Sequence, residues 1–372
     1  MKAAILHGRG DVRIEEVSPE PLKRGEVRMH IEAALTCGTD VKVFERGYHA
    51  KMISTPSRFG HEMAGVICAL GEGASEAGWK IGDRVVAANS APCGKCFFCV
   101  HHQENLCDDL QFLNGAYAET ITVPERLAQK NLLRLKPQTD FRDAALTEPL
   151  ACVVQGIEDS ALCAGQNVLI IGAGPVGLMF TALANRIRCH VTVAGRHATR
   201  LQSARKLGAA HVVDVGDGKN LAQKIQAQAP AHAPARREPG PSRYDSGHGP
   251  VPVHHDFPGF DTVIEAVGRA ETWEAAVALV RKGGTVNFFG GCPAGTMVAL
   301  DTQRIHYSNL KLIASFHHTP RSVRRALEFI ESGAVRAADF VSGECALSQL
   351  PAWFNSAAVA NNSIKTLINV RQ

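Results

Sequence analysis

The chain has 372 residues, 45% hydrophobic and 20% charged, with a formal net charge of +4 at pH 7. That balance describes a globular protein of two domains, or of one domain built around another. It gives no basis for nucleic-acid or membrane-surface binding. No run approaches the roughly 18 apolar residues of a membrane span, and the opening MKAAILHGRGDVRIEE lacks a signal-peptide core. The expectation is therefore a cytoplasmic protein with no nucleic-acid and no membrane partner.

The first 150 residues hold short β-like runs punctuated by glycine, among them EVRMHIEAA, MAGVICALG and DRVVAAN. No long helical period is predicted before about residue 141, so this stretch reads as a twisted β-rich domain. Within it lies APCGKCFFCVHHQENLC, which places Cys93, Cys96, Cys99 and Cys107 at C-x2-C-x2-C-x7-C spacing. Four thiolates in a tight loop fill a tetrahedral zinc site and leave no position for substrate. The other seven of the 11 cysteines are scattered, unlike a secreted disulfide scaffold.

From Asn167 the pattern changes. NVLIIG, HVTVAG, HVVDV, DTVIEAV and GTVNFFG read as strands, and AGPVGLMFTALANRI, ATRLQSARKLG and ETWEAAVALVRKG as the helices between them. This alternation predicts an α/β, doubly wound parallel sheet. Residues 229–258 interrupt it with seven prolines and four histidines in 30 residues, a composition that cannot supply a packed core. A strand-like LKLIASF, a helical RSVRRALEFIESG and a strand-like IKTLINV close the chain, and this tail is expected to return to the first domain. The boundaries predicted are 1–152 with 299–372 for the β-rich domain and 153–298 for the sheet, with 229–258 an insertion.

Gly172-x-Gly174-x-x-Gly177 follows a predicted strand and opens a helix, which is the context a dinucleotide fingerprint requires. Gly172, Gly174, Pro175, Val176 and Gly177 would lay backbone N–H groups against a pyrophosphate. At the end of the next strand, where an acid would bind the ribose 2′-hydroxyl, stand Gly195 and Arg196, with His197 and Arg200 beyond. Loss of the carboxylate removes repulsion of a 2′-phosphate and an arginine fork can hold it, so NADP is favoured over NAD. The alternative is that Arg196 stacks on adenine and both cofactors serve. Gly268, Phe289 and Gly290, at predicted strand ends, are expected beside the nicotinamide.

Cys37 in LTCGTD, His61 and Glu62 in FGHEMAG, and Glu148 in LTEPLA form a dispersed set. A catalytic zinc takes three protein ligands and keeps one open position, and thiolate, imidazole and carboxylate would supply them. Spacing alone does not establish it: each has an ordinary reading as a buried thiol, a satisfied histidine or a surface carboxylate.

CGTD, GHE, the four-cysteine run, EPLA and GAGPVG occur in the order seen in zinc-dependent medium-chain alcohol dehydrogenases. The chain resembles most the sorbitol (polyol) branch, whose relatives include threonine dehydrogenases, over nearly its whole length apart from 229–258. The resemblance implies a GroES-like β-rich catalytic domain joined to a Rossmann domain. It implies two Zn2+ per chain, a structural one on Cys93, Cys96, Cys99 and Cys107 and a catalytic one on Cys37 and His61, with Glu62 and Glu148 bound to the zinc or its water. It makes Thr39 the proton-relay hydroxyl. The reaction implied is reversible hydride transfer between a secondary alcohol, polyol or sugar-derived, and NAD(P), in a homodimer or homotetramer.

Two departures stand out. Val41-Lys42-Val43 lacks the histidine that often carries the proton to solvent. Phe316 and His317 replace an Arg-Tyr pair of some relatives, which makes Phe316, His317 and His318 candidates for substrate or subunit contact. Two alternatives stand beside this reading, a zinc-independent quinone or enone reductase and a non-enzymatic zinc-ribbon binding protein. The first kind generally lacks these ligand sets, and the second leaves most of the chain unexplained, with Lys95 the only lysine or arginine in the lobe.

Overall fold

The computed structural model describes residues 1–49, 51–217, 220–228, 259–356 and 363–371; the segment 229–258 lies outside the described residues. The chain forms two compact units, one of Met1–Gln155 with Phe316–Gln372 and one of Gly156–Ser315.

The first unit is built on strands. One sheet runs in the order Leu132–Arg134, Arg84–Ala87, Glu62–Leu70, Val27–Leu35, Lys365–Asn369 and Val341–Ala346, with Thr120–Val123 also paired to Val27–Leu35. The strand Val27–Leu35 begins with period-2 alternation: Val27, Met29, Ile31 and Ala33 are buried, while Arg28, His30 and Glu32 are not. Its inward residues join Phe59, Tyr117 and Phe44 in one core. Each large apolar side chain taken from water there contributes about 1.5–3 kcal/mol. The tail does return: Lys365–Asn369 pairs antiparallel with Val27–Leu35 through Leu367 to Leu35 and Ile368 to Ala34. This brings Lys365 beside residues more than 300 positions earlier, including Glu62.

The early chain, where no long helical period was expected, does hold one short helix at Gly38–Arg46. Its ends are set by caps rather than periodicity. Cys37 and Asp40 form a capping box, and Gly47 closes the helix at φ +84°.

The second unit carries six parallel strands in the order His211–Asp214, His190–Gly195, Asn167–Ile171, Phe260–Glu265, Val280–Phe288 and Lys311–Ala314. Numbered along the chain this is 3-2-1-4-5-6, with the order reversing beside Asn167–Ile171. All five residues of that strand are buried, as a sheet covered on both faces requires. Two expectations change here. The helix over ETWEAAVAL ends at Leu279, and VRKG already belongs to the strand Val280–Phe288. Residues 299–315 lie with the parallel sheet instead of the first domain, because Lys311–Ala314 hydrogen-bonds to Val280–Phe288.

Candidate active site and metal centres

The four lobe cysteines converge on a point. Their sulfurs lie within 4.8 Å of one another, with Sγ separations of 3.9 Å for Cys93–Cys99, 3.5 Å for Cys96–Cys99 and 3.8 Å for Cys96–Cys107. Zinc–sulfur bonds of about 2.3 Å in a tetrahedron put sulfurs about 3.8 Å apart, so the set fits zinc. Backbone N–H groups aim at the sulfurs: Lys95 and Cys96 donate to Cys93, Gly94 to Cys99, and Cys93 to Cys107. The N–H donors of Lys95 and Cys96 pull the Cys93 thiol down to about 6, which favours the thiolate a metal needs.

The dispersed set assembles in the same unit. Cys37 caps the helix Gly38–Arg46, where its Sγ accepts from Thr39 N at 3.4 Å. His61 precedes the strand Glu62–Leu70 and is 3% exposed. Donor atoms of Cys37, His61 and Glu62 lie within 4.8 Å of one another. Glu148 opens the helix Thr147–Asp159 and groups instead with Cys152 and His317, again within 4.8 Å. Burial pushes Glu148 up to about 7.

Four supporting residues were not singled out from the sequence. Asp40 Oδ1 stands 3.0 Å from His61 Nδ1, which leaves Nε2 as the nitrogen open to a metal. Burial alone would depress His61, but the Asp40 carboxylate and Cys37 override it and hold the imidazole well above its ordinary value. Asp40 Oδ2 accepts from Cys37 N at 3.0 Å and from the Tyr117 hydroxyl at 2.5 Å. Lys365 Nζ donates to both oxygens of Glu62, at 2.6 and 2.5 Å, and to Thr36 O at 3.0 Å. Despite its burial, Glu62 holds Lys365 above its ordinary value. Cys152 sits one turn beyond Glu148, its Sγ 3.9 Å from Glu148 Oε1. The signals were faint: the acid three residues after Cys37, a lysine inside the apolar run IKTLINV, a thiol one helical turn after a candidate ligand.

Phe316, His317 and His318 are held by the segment around the lobe. Asn105 Nδ2 donates to Phe316 O at 2.9 Å, Ser90 Oγ is 2.6 Å from His317 Nε2, and His318 Nε2 is 3.0 Å from Asn89 Oδ1. Burial depresses both imidazoles, His318 to about 3.

In the second unit Gly174 caps the helix Pro175–Arg186 with no side-chain hydrogen bond, so its first N–H groups have no side-chain partner there. A Cβ on Gly177 would lie 1.8 Å from Gly172 O, so only glycine allows this helix to sit so close to the turn. Gly195 ends its strand, and a Cβ there would lie 2.5 Å from Ala173 Cβ. Packing is thus a second reason for glycine at 195, beside the missing acid. Arg196 is exposed. Burial and then the Arg196 cation push Arg200 below its ordinary value, which places two guanidinium groups within each other's field. Gly268, Phe289 and Gly290 gather around Glu265: Phe289 N and Gly290 N donate to its carbonyl, and Gly268 N donates to Oε1 at 2.9 Å.

Among the described residues no helix is long and apolar enough to cross a membrane. Residues 23–133 match the alcohol dehydrogenase GroES-like domain, and residues 175–332 match the zinc-binding dehydrogenase domain. The chain is 30% identical to D-arabinitol dehydrogenase 1 of Uromyces fabae, covering 92% of this chain and 89% of that one. It is 26% identical to sorbitol dehydrogenase of Bacillus subtilis over 94% and 91%. Among solved structures, one described as a zinc-binding dehydrogenase of Sinorhizobium meliloti 1021 bound to NADP shares 28% identity and a TM-score of 0.82, covering 99% and 98%. Motifs, fold and relatives agree: the chain belongs to the zinc-dependent medium-chain alcohol dehydrogenases, in their sorbitol (polyol) branch, and is an alcohol oxidoreductase.

Proposed function

We propose that the chain interconverts a polyol or sugar-derived secondary alcohol and its ketone with NADP, using Cys37, His61 and Glu62 to hold a catalytic zinc. The observation that carries this reading is the convergence of thiol, imidazole and carboxylate within 4.8 Å, backed by Asp40 on His61 and Lys365 on Glu62. When zinc is bound, the chemistry supplied is Lewis-acid polarisation of an alcohol or carbonyl oxygen. Asp40 keeps the His61 ring oriented and Nε2 free. Lys365 balances the buried charge of Glu62. Thr39, in the first turn of its helix, takes up the substrate hydroxyl proton and passes it outward. When bound, the nicotinamide supplies the hydride acceptor or donor. The helix N-terminus at Gly174 and Pro175 holds the pyrophosphate, and Arg196 with Arg200 holds the 2′-phosphate, an anion that relieves the repulsion between the two guanidinium groups. The active form is a homodimer or homotetramer, a reading supported by exposed Phe97 and Val100 on the lobe and open to a sedimentation test.

The testing experiment is metal analysis joined to coenzyme kinetics. Two zincs per chain and a kcat/KM for NADP above that for NAD are expected. Arg196→Ser should lower kcat/KM for NADP about 10- to 100-fold, one charge-assisted contact's worth, and leave NAD unchanged. Equal losses for both cofactors would refute the phosphate role. Arg196→Ser is a cleaner probe than Gly195→Asp, whose Cβ collides with Ala173.

A further inference from the structure

We propose that the substrate carries an anionic group, carboxylate or phosphate, at the end away from its reacting hydroxyl, and that Lys51 binds that group. The inference rests on the reading that Cys37, His61 and Glu62 mark the reacting end, and it narrows that reading to one substrate class.

Lys51 is exposed, and its Nζ stands 5.0 Å from the centroid of the Phe316 ring. Among the described residues no carboxylate pairs with it. Phe316 packs on His317 with ring centroids 5.5 Å apart, and a nitrogen of His317 lies within 4.8 Å of a Glu148 oxygen. Glu148 in turn lies in the field of His61 and Glu62. Two rings thus separate the ammonium from the reacting end, a gap that a sugar chain of several carbons can span.

The turn that carries Lys51 is fixed in place. His49 Nδ1 accepts from Lys51 N at 3.2 Å and from Met52 N at 3.1 Å, and His49 N donates to Ile53 O. Asn114 Nδ2 donates to Met52 O at 2.8 Å. Asn89 joins this turn to the imidazoles: its Nδ2 donates to Met52 Sδ at 3.5 Å, and its Oδ1 faces His318 Nε2 at 3.0 Å. His318 Nε2 therefore carries the proton, and Nδ1 is an acceptor. That nitrogen is buried and has no partner among the described residues. A substrate hydroxyl is a donor that suits it.

The charge at this end has one sign. Burial depresses His49, and the basic groups His61, Arg46 and Lys51 push the same way. For His317 burial again leads, followed by His318, His61, His49 and Lys51. The acids close by are already engaged, Asp40 with His61 and Glu62 with Lys365. An exposed cation backed by basic groups attracts anions and steers them inward. A neutral polyol gains nothing from this arrangement, whereas a sugar acid or a sugar phosphate gains a charge-assisted contact.

The test is steady-state kinetics of the full-length holoenzyme on matched sets: pentitols, their terminal phosphates and the corresponding pentonates. One anionic set should exceed the pentitols in kcat/KM by about tenfold or more, one charge-assisted contact's worth. Which set does so tells phosphate from carboxylate. The advantage should shrink as salt rises, since the cation is exposed. Lys51→Gln should lower kcat/KM for that set about tenfold more than for the pentitols, through KM and not kcat, and Lys51→Arg should restore it. Pentitols that match or exceed both anionic sets overturn the inference and leave the polyol reading standing. So does Lys51→Gln with an equal loss, or none, on all three sets. Absence of turnover on every set overturns the polyol reading and this inference with it.

Discussion

The lobe and the dispersed site are both zinc-type donor sets in the same unit, yet they are made in opposite ways. The lobe takes four identical donors from 15 consecutive residues, Cys93 to Cys107, and orders them with its own backbone N–H groups. The dispersed site takes unlike donors from a helix cap and a strand start and relies on long-range partners: Asp40 and Tyr117 behind His61 and Cys37, Lys365 behind Glu62. A self-contained loop of thiols closes every coordination position and so serves structure. A site whose ligands are propped by residues around them can leave one position open and tune each ligand separately.

The largest effect should separate the two regions outright. Cys37→Ser or His61→Ala is expected to lower turnover by about three orders of magnitude or more, the several kcal/mol a Lewis acid supplies, with NADPH binding retained in a fluorescence titration. Cys96→Ser should instead lower the thermal midpoint and leave kcat per folded chain nearly intact. Exchange of the two phenotypes would break the contrast.

Next in size is the prop behind Glu62. Lys365→Met leaves a carboxylate wholly buried without its cation and should cost about 3–5 kcal/mol in a denaturant titration. Adding Glu62→Gln should recover part of that loss; a double variant as unstable as the single one would show that Lys365 acts through packing alone.

The smallest effect is a pH slope. His318 is pushed down to about 3 by burial, with the His61 charge adding to it. The unfolded chain takes up a proton near the ordinary value of about 6.5, so between these two values the folded state binds fewer protons. Stability from this group is therefore full above about pH 6.5 and is lost as the pH falls toward 3, at up to about 1.4 kcal/mol per pH unit. His318→Gln should flatten that part of the stability curve relative to wild type. Parallel curves between pH 6.5 and 4.5 would refute the assignment.

The same contrast explains what was legible in the sequence. The lobe and the glycine turn are local, so spacing alone exposes them. The alternation of strands and helices after Asn167 exposes the parallel sheet for the same reason. The helix Gly38–Arg46 escaped because it is short and defined by its caps. The strand Lys311–Ala314 was misassigned because a four-residue apolar run does not say which sheet it joins. Lys365 was invisible because its partner lies 303 residues away, and Cys152 because a thiol in an apolar helix resembles any other core residue.

The hydrogen bond from Asn105 to the Phe316 carbonyl, with Ser90 on His317, ties the thiol loop and the residues before it to the segment carrying His317 and His318. The loop is therefore a strut as well as a clasp. Loosening the loop would therefore also loosen the backbone that carries His317 and His318.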